Sequence, residues 1–135
     1  MEEIQMKLNE TIYAKTHAEF LNKVFGTQYK AWMKSVWSYN SNYIVWMVCF
    51  DGKIRDGWKN TFIGWDEIKE ENNDYNKKYY DGQPLPYYTY QKRIVIEIDN
   101  TSFARKYIFR GVYQYDKEKS NPYQVRYYNK IADEF

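Results

Sequence analysis

Trp58 stands in the run Asp56-Gly57-Trp58-Lys59-Asn60, where a large indole has polar neighbours instead of apolar ones. Stacking of an aromatic side chain on a nucleobase is worth about 1–3 kcal/mol. Asp56 and Asn60 carry the acceptors and donors that the edge of a planar heterocycle requires. Together the three have the parts of a site for one extruded base. Tyr87 and Tyr88 add two further rings that could stack on the same ligand. Arg105, Lys106, Arg110 and Arg126 are the cations expected to hold phosphate oxygens.

Other chemistry is poorly provided for. The one histidine, His17, has no cysteine or histidine partner at metal-binding spacing, and it reads as a residue of a helix first turn. The one cysteine, Cys49, lies among Met47, Val48 and Phe50 and reads as a buried, unreactive thiol. Neither a glycine-rich phosphate loop nor a nucleophile elbow is present. The pattern calls for no cofactor and no metal. One arrangement points the other way. Glu67-Ile68-Lys69 reads E-x-K with Asp56 upstream, a set that holds Mg²⁺ in restriction-type nucleases when the pair sits on a strand. The surrounding segment Trp65 to Glu71 reads as helical, which counts against it.

Composition sets the frame. The chain has 135 residues, 44% hydrophobic and 28% charged, and is expected to form a single domain over 1–135. Aromatic residues make up 21%: 16 Tyr, 7 Phe and 5 Trp. One small core cannot hide so many rings, so some are expected at a binding surface. The net charge is only +2, but it is unevenly spread. Residues 92–130 hold nine Lys/Arg against four acids, while 61–91 hold six acids against three lysines. Such asymmetry can build a basic face on a nearly neutral protein. A lone cysteine and the lack of a ~20-residue apolar run lead to the expectation of a cytoplasmic protein without a membrane partner. The richness in Lys, Asn, Tyr and Ile suggests an AT-rich genome, bacterial or phage.

The elements that must carry these residues read as α+β. Residues 1–11 are polar and expected to be loose. Thr16, with Glu19 three residues on, caps a helix through Phe20, Leu21, Val24 and Phe25 that stops at Gly26. Tyr29, Trp32, Met33, Val36 and Trp37 share a helical face and suggest a second helix. Tyr43–Phe50 reads as a buried strand ending at Asp51-Gly52, and Lys53–Asn60 as the next strand, bent at Asp56-Gly57. Trp65–Glu71 is the third helix candidate. Asn72–Tyr90 reads as a long loop bearing Tyr79, Tyr80, Tyr87, Tyr88 and Tyr90. Arg93–Ile98 and Lys106–Tyr115 look like a hairpin around Asp99-Asn100-Thr101-Ser102, and Gln124–Ala132 is a last strand or helix, read as strand through Tyr128. The sum is about five strands in a curved antiparallel or mixed, small barrel-like sheet, with two or three helices.

Trp46-Met47-Val48-Cys49-Phe50, Gly57-Trp58, Trp65-Asp66-Glu67-Ile68 and Phe109-Arg110-Gly111-Val112-Tyr113 together resemble small PUA-like domains of the EVE, YTH, ASCH and SRA types. Arg105–Phe135 is also similar to segments of restriction-associated bacterial proteins. The resemblance loosely covers residues 43–132. It implies a curved β-barrel with flanking helices and a modified base or RNA as ligand. Three functions stay open. The first is a non-enzymatic nucleic-acid-binding module sensing a modified base in bacterial or phage defence. The second is a phage-type inhibitor that binds a host defence protein, or its small-molecule ligand, through the Tyr79–Tyr90 loop. The third is a Mg²⁺-dependent nuclease using Lys69. Nothing in the sequence decides the oligomeric state.

Overall fold

The computed structural model describes residues 4–74, 80–101 and 103–135. Among them are nine strands and one helix, so the α+β expectation with two or three helices is corrected to a mostly β architecture. The strands are β1 (Thr11–Tyr13), β2 (Val36–Ser38), β3 (Tyr43–Val48), β4 (Ile54–Arg55), β5 (Trp58–Ile63), β6 (Glu67–Asn72), β7 (Lys92–Asp99), β8 (Lys106–Tyr115) and β9 (Val125–Ala132). The helix α1 spans His17–Phe25. All nine strands belong to one sheet of order β2-β3-β7-β8-β9-β6-β5-β4, with β1 added along β8.

Helix α1 forms as its caps dictate. The Thr16 hydroxyl accepts from the Glu19 amide at 3.1 Å, and Glu19 reaches back to accept from the Lys15 amide at 3.0 Å. Gly26 closes the helix at φ 70°. Ala18, Phe20 and Leu21 are buried against the sheet. The ring of Phe20 stacks on Tyr107 with centroids 4.7 Å apart.

The one parallel pair among the described strands, β3–β7, lies toward the β2 end of the sheet and continues into the antiparallel pair β7–β8. Both faces of β3 and β7 are covered, which is why their sequences read as nearly continuous apolar runs. Val45, Met47, Ile94, Ile96 and Ile98 join the core beneath α1. Trp46, Val48 and Val95 join a second core with Ile68, Tyr113, Tyr115 and Tyr128. Curling of the sheet is concentrated near Gly111. There β8 shifts register against β7 between Val95 and Ile96, and against β9 between Val112 and Tyr113. Gly111 has φ 116°, and a Cβ there would lie 2.9 Å from the Ala132 carbonyl oxygen.

Three further expectations are corrected. Residues 4–11 are not loose, because Met6 is buried and exchanges two backbone hydrogen bonds with Phe135. No helix forms through Tyr29–Trp37; Val36–Ser38 pairs with β3, while Trp32 and Trp37 pack on the α1-side core. Trp65–Glu71 is not helical either. Gly64 turns the chain at φ 68°, and Glu67–Asn72 runs as a strand between β5 and β9. Asp56-Gly57, expected as a bend, is the two-residue turn of the β4–β5 hairpin, with both φ angles positive at 52° and 85°.

Candidate functional site

Strands β3, β5, β6, β7 and β9 turn one set of side chains toward the second core, and an open cleft of about 1050 Å³ lies over them. Alternation decides who faces it. On β5 and β6 the register partners Asn60 and Glu70 share that face with Trp58, Phe62 and Ile68. Trp46 from β3, Arg93 from β7 and Arg126 from β9 complete the sheet side. The segments around Tyr29–Ser38 and Gln83–Tyr88 supply the rest of the lining. The Tyr123 hydroxyl donates to the Gln83 carbonyl at 2.7 Å and ties the second of these segments to the β8–β9 connection.

Seven of the nine expected site residues line this cleft: Trp58, Asp56, Asn60, Tyr87, Tyr88, Arg105 and Arg126. Lys106 and Arg110 do not. Lys106 sits where β8 pairs with β1, and Arg110 donates to Glu97 at 2.7 Å and to Asn9. Tyr79 lies outside the described residues, as does Ser102 of the β7–β8 turn.

The cleft combines rings with cations. The Arg126 guanidinium lies 4.3 Å from the Trp58 ring centroid, close enough for a cation–π contact. Arg126 also approaches Glu70 at 3.4 Å and donates from Nε to the Pro122 carbonyl at 2.7 Å. Tyr87 and Tyr88 meet edge to face at 5.3 Å, with Tyr87 74% exposed. Asn60 presents a buried side-chain oxygen, Oδ1, with no hydrogen-bond partner among the described residues. Glu70 is buried, and its Oε1 accepts from the Tyr128 hydroxyl at 3.1 Å. Burial drives the Tyr128 phenol far above its ordinary value, so it stays a proton donor. The lining carries six Lys and Arg (Lys34, Lys53, Arg55, Arg93, Arg105, Arg126) against Asp56 and Glu70, and with Arg55 neutralised by Asp51 at 2.6 Å the surplus is three positive charges. A cleft lined by one sign of charge concentrates an oppositely charged ligand.

The lining also includes His17, Cys49 and Arg105. His17 Nδ1 is 2.8 Å from the Tyr107 hydroxyl, which also accepts from Arg105 at 3.2 Å. Burial, then the nearby Arg105 charge, lowers the His17 pKa. Cys49 lies just past the end of β3 and is half-buried, with its thiol pushed up by burial.

The E-x-K pair sits on strand β6, as a nuclease would require, but Asp56 does not share its face. Glu67 and Lys69 alternate away from the cleft, where Glu67 pairs with Lys119 at 2.7 Å and Lys69 with Glu71 at 3.3 Å. Among the described residues no group of three metal-ligating side chains converges. The charged cleft residues Lys34, Lys53, Arg55, Glu70 and Arg93 escaped the sequence reading, and of these Glu70 and Arg93 are buried. Neither carries a linear signal: Arg93 stands at the start of an apolar strand, and Glu70 lies within a run of charged residues.

The model of the SRA (SET and RING associated) domain family matches residues 1–135, and the chain belongs to that family. This bears out the resemblance to PUA-like domains and extends it over the whole chain. The chain is also similar to a solved structure titled "The 5-Hydroxymethylcytosine-Specific Restriction Enzyme AbaSI", with 21% identity and a TM-score of 0.68. The match covers 98% of this chain and 42% of that one, so this chain spans less than half of that enzyme's length. A comparison with curated proteins gives no match.

Proposed function

We propose that this SRA domain binds DNA and holds one modified cytosine, of the 5-hydroxymethyl type, extruded into its cleft as part of a system that restricts modified DNA. The observation that carries the reading is the cleft itself: rings from Trp58, Tyr87 and Tyr88, a buried unpaired Asn60 oxygen, and a surplus of positive charge in one concavity. Trp58 and Tyr88 stack on the base, while Asn60 and Asp56 read its edge. Arg105 faces a flanking phosphate, while the buried Arg126, held by Glu70 and the Pro122 carbonyl, backs the Trp58 ring. The volume of about 1050 Å³ takes a nucleotide with a substituent on its ring. Extrusion costs a few kcal/mol of stacking and pairing, which the rings and the buried polar atoms must return.

The test is a fluorescence-anisotropy titration of two duplexes that differ in one central base, 5-hydroxymethylcytosine or cytosine, at several salt concentrations. The modified duplex is expected to bind at least tenfold more tightly, with both affinities falling steeply as salt rises. Equal binding of the two duplexes would remove the modified-base reading. Affinity indifferent to salt would remove the phosphate contacts.

A further inference from the structure

Arg93 sits near the start of β7, between β3 and β8, and is 2% exposed. A guanidinium cannot lose its proton in a protein, so burial is normally met by a carboxylate. Among the described residues none forms an ion pair with it; Glu70, the buried acid of the cleft, approaches Arg126 instead. Arg93 is surrounded by ring faces. Its guanidinium carbon lies 4.3 Å from the Tyr128 centroid, 4.7 Å from Trp46 and 5.7 Å from Tyr88. Ring faces answer the charge but offer no acceptor in the guanidinium plane.

Nε and Nη2 of Arg93 are buried and have no acceptor among the described residues. These two nitrogens form one edge of the guanidinium and donate two parallel hydrogen bonds. The side chain lines the cleft, and this edge lies just beneath the floor, covered by the surrounding rings. It matches two acceptor atoms standing side by side. A cytosine ring has such a pair in N3 and O2. Its amine at position 4 is a donor, which suits Asn60 Oδ1 and the Glu70 carboxylate, register partners on β5 and β6. A uracil or thymine ring carries N–H at position 3 and would set a donor against a donor.

We propose that Arg93 is a specificity-determining residue of the cleft, reading the adjacent N3 and O2 acceptors of an extruded cytosine and rejecting a uracil-type ring with the same 5-substituent. The proposal rests on the base-binding reading above. Tyr88 covers Arg93 on the side of the Gln83–Tyr88 segment and moves aside as the base enters.

The experiment uses three duplexes with one central 5-hydroxymethylcytosine, 5-hydroxymethyluracil or unmodified cytosine, titrated against the wild type, Arg93→Lys and Arg93→Met. The wild type is expected to favour the hydroxymethylcytosine over the hydroxymethyluracil duplex by roughly 10- to 100-fold. Both variants should bring that ratio to within about threefold, since lysine is a point donor without the fork. Arg93→Lys, which keeps the charge, should leave the salt slope unchanged, and both variants should lose the ratio by weakening the hydroxymethylcytosine duplex, not by tightening the hydroxymethyluracil one. A folded variant that keeps the full ratio overturns the proposal. Should the variants fail to fold, nitrogen-15 spectra of wild-type arginine Nε–H groups decide. The buried Nε–H should shift and gain exchange protection with the hydroxymethylcytosine duplex only, and an unmoved signal overturns the role. Equal wild-type affinity for the two hydroxymethyl duplexes, both above unmodified DNA, sinks this inference alone. No preference over unmodified DNA sinks the base-binding reading with it.

Discussion

His17 is the one histidine of the chain, held at the first residue of α1 against Tyr107. Its pKa lies below the ordinary 6.5, mainly through burial and secondarily through Arg105. As pH falls through 6.5, the unfolded chain takes up a proton that the folded one resists. The native state therefore loses stability between that value and the lower folded one, and is unaffected above it. Urea unfolding at pH 7.5 and 5.5 should show this loss, and His17→Gln, which keeps a polar group at the Tyr107 hydroxyl, should shrink it. At the same scale, Trp58→Ala is expected to weaken binding of a hydroxymethylcytosine duplex roughly tenfold or more. The salt slope should stay as it was, because no phosphate contact is removed; anisotropy measures both. Trp58 and Asn60 could be singled out because polar neighbours surround them. Arg93 and Glu70 could not: they occupy positions where alternation predicts either solvent or apolar packing. Only the three-dimensional neighbours, Trp46 and Tyr128 for one and Arg126 and Tyr128 for the other, show why a charge is tolerated there.

Elements with strong local signals were legible. The capped helix α1, the doubly buried β3 and the β7–β8 hairpin follow from capping chemistry, β-branched runs and a turn cluster. The failures have specific causes. Tyr29, Trp32, Met33, Val36 and Trp37 share a helical spacing, yet the free edge of β3 captures Val36–Ser38 and pulls the two indoles onto the core. In Glu67–Asn72 the buried Glu70 breaks the apolar alternation of a strand, so the segment looked like a charged helix. Strands of two or three residues, such as β1 and β4, have no pattern long enough to read. The element that shapes the site most is β8, through its bulge at Gly111. Gly111→Ala places a side chain at φ 116° and against the Ala132 carbonyl, so a loss of about 1–3 kcal/mol is expected in urea unfolding. A wild-type midpoint in that variant would mean the bulge relaxes without cost.

At the scale of the whole molecule, the fold gathers charge that the sequence spreads out. The net charge is +2, but the cleft holds a surplus of three once Arg55 is set against its partner Asp51. Cations from five stretches, at Lys34, Lys53 and Arg55, Arg93, Arg105 and Arg126, meet because the sheet curls. Their convergence, together with rings from distant segments, was beyond any linear reading; the aromatic excess gave only the expectation of a binding surface. Several rings do remain outside the core, Tyr87 at the cleft and Trp65 at the β5–β6 turn among them. The central claim is that a base leaves the double helix and enters this cleft. Placing 2-aminopurine beside a central 5-hydroxymethylcytosine tests it most directly, since its fluorescence rises when the neighbouring stack opens. Saturating the duplex with the wild type is expected to raise that fluorescence several-fold, with much less change in a matched unmodified duplex. Tight binding of the modified duplex with no rise in fluorescence would contradict the account.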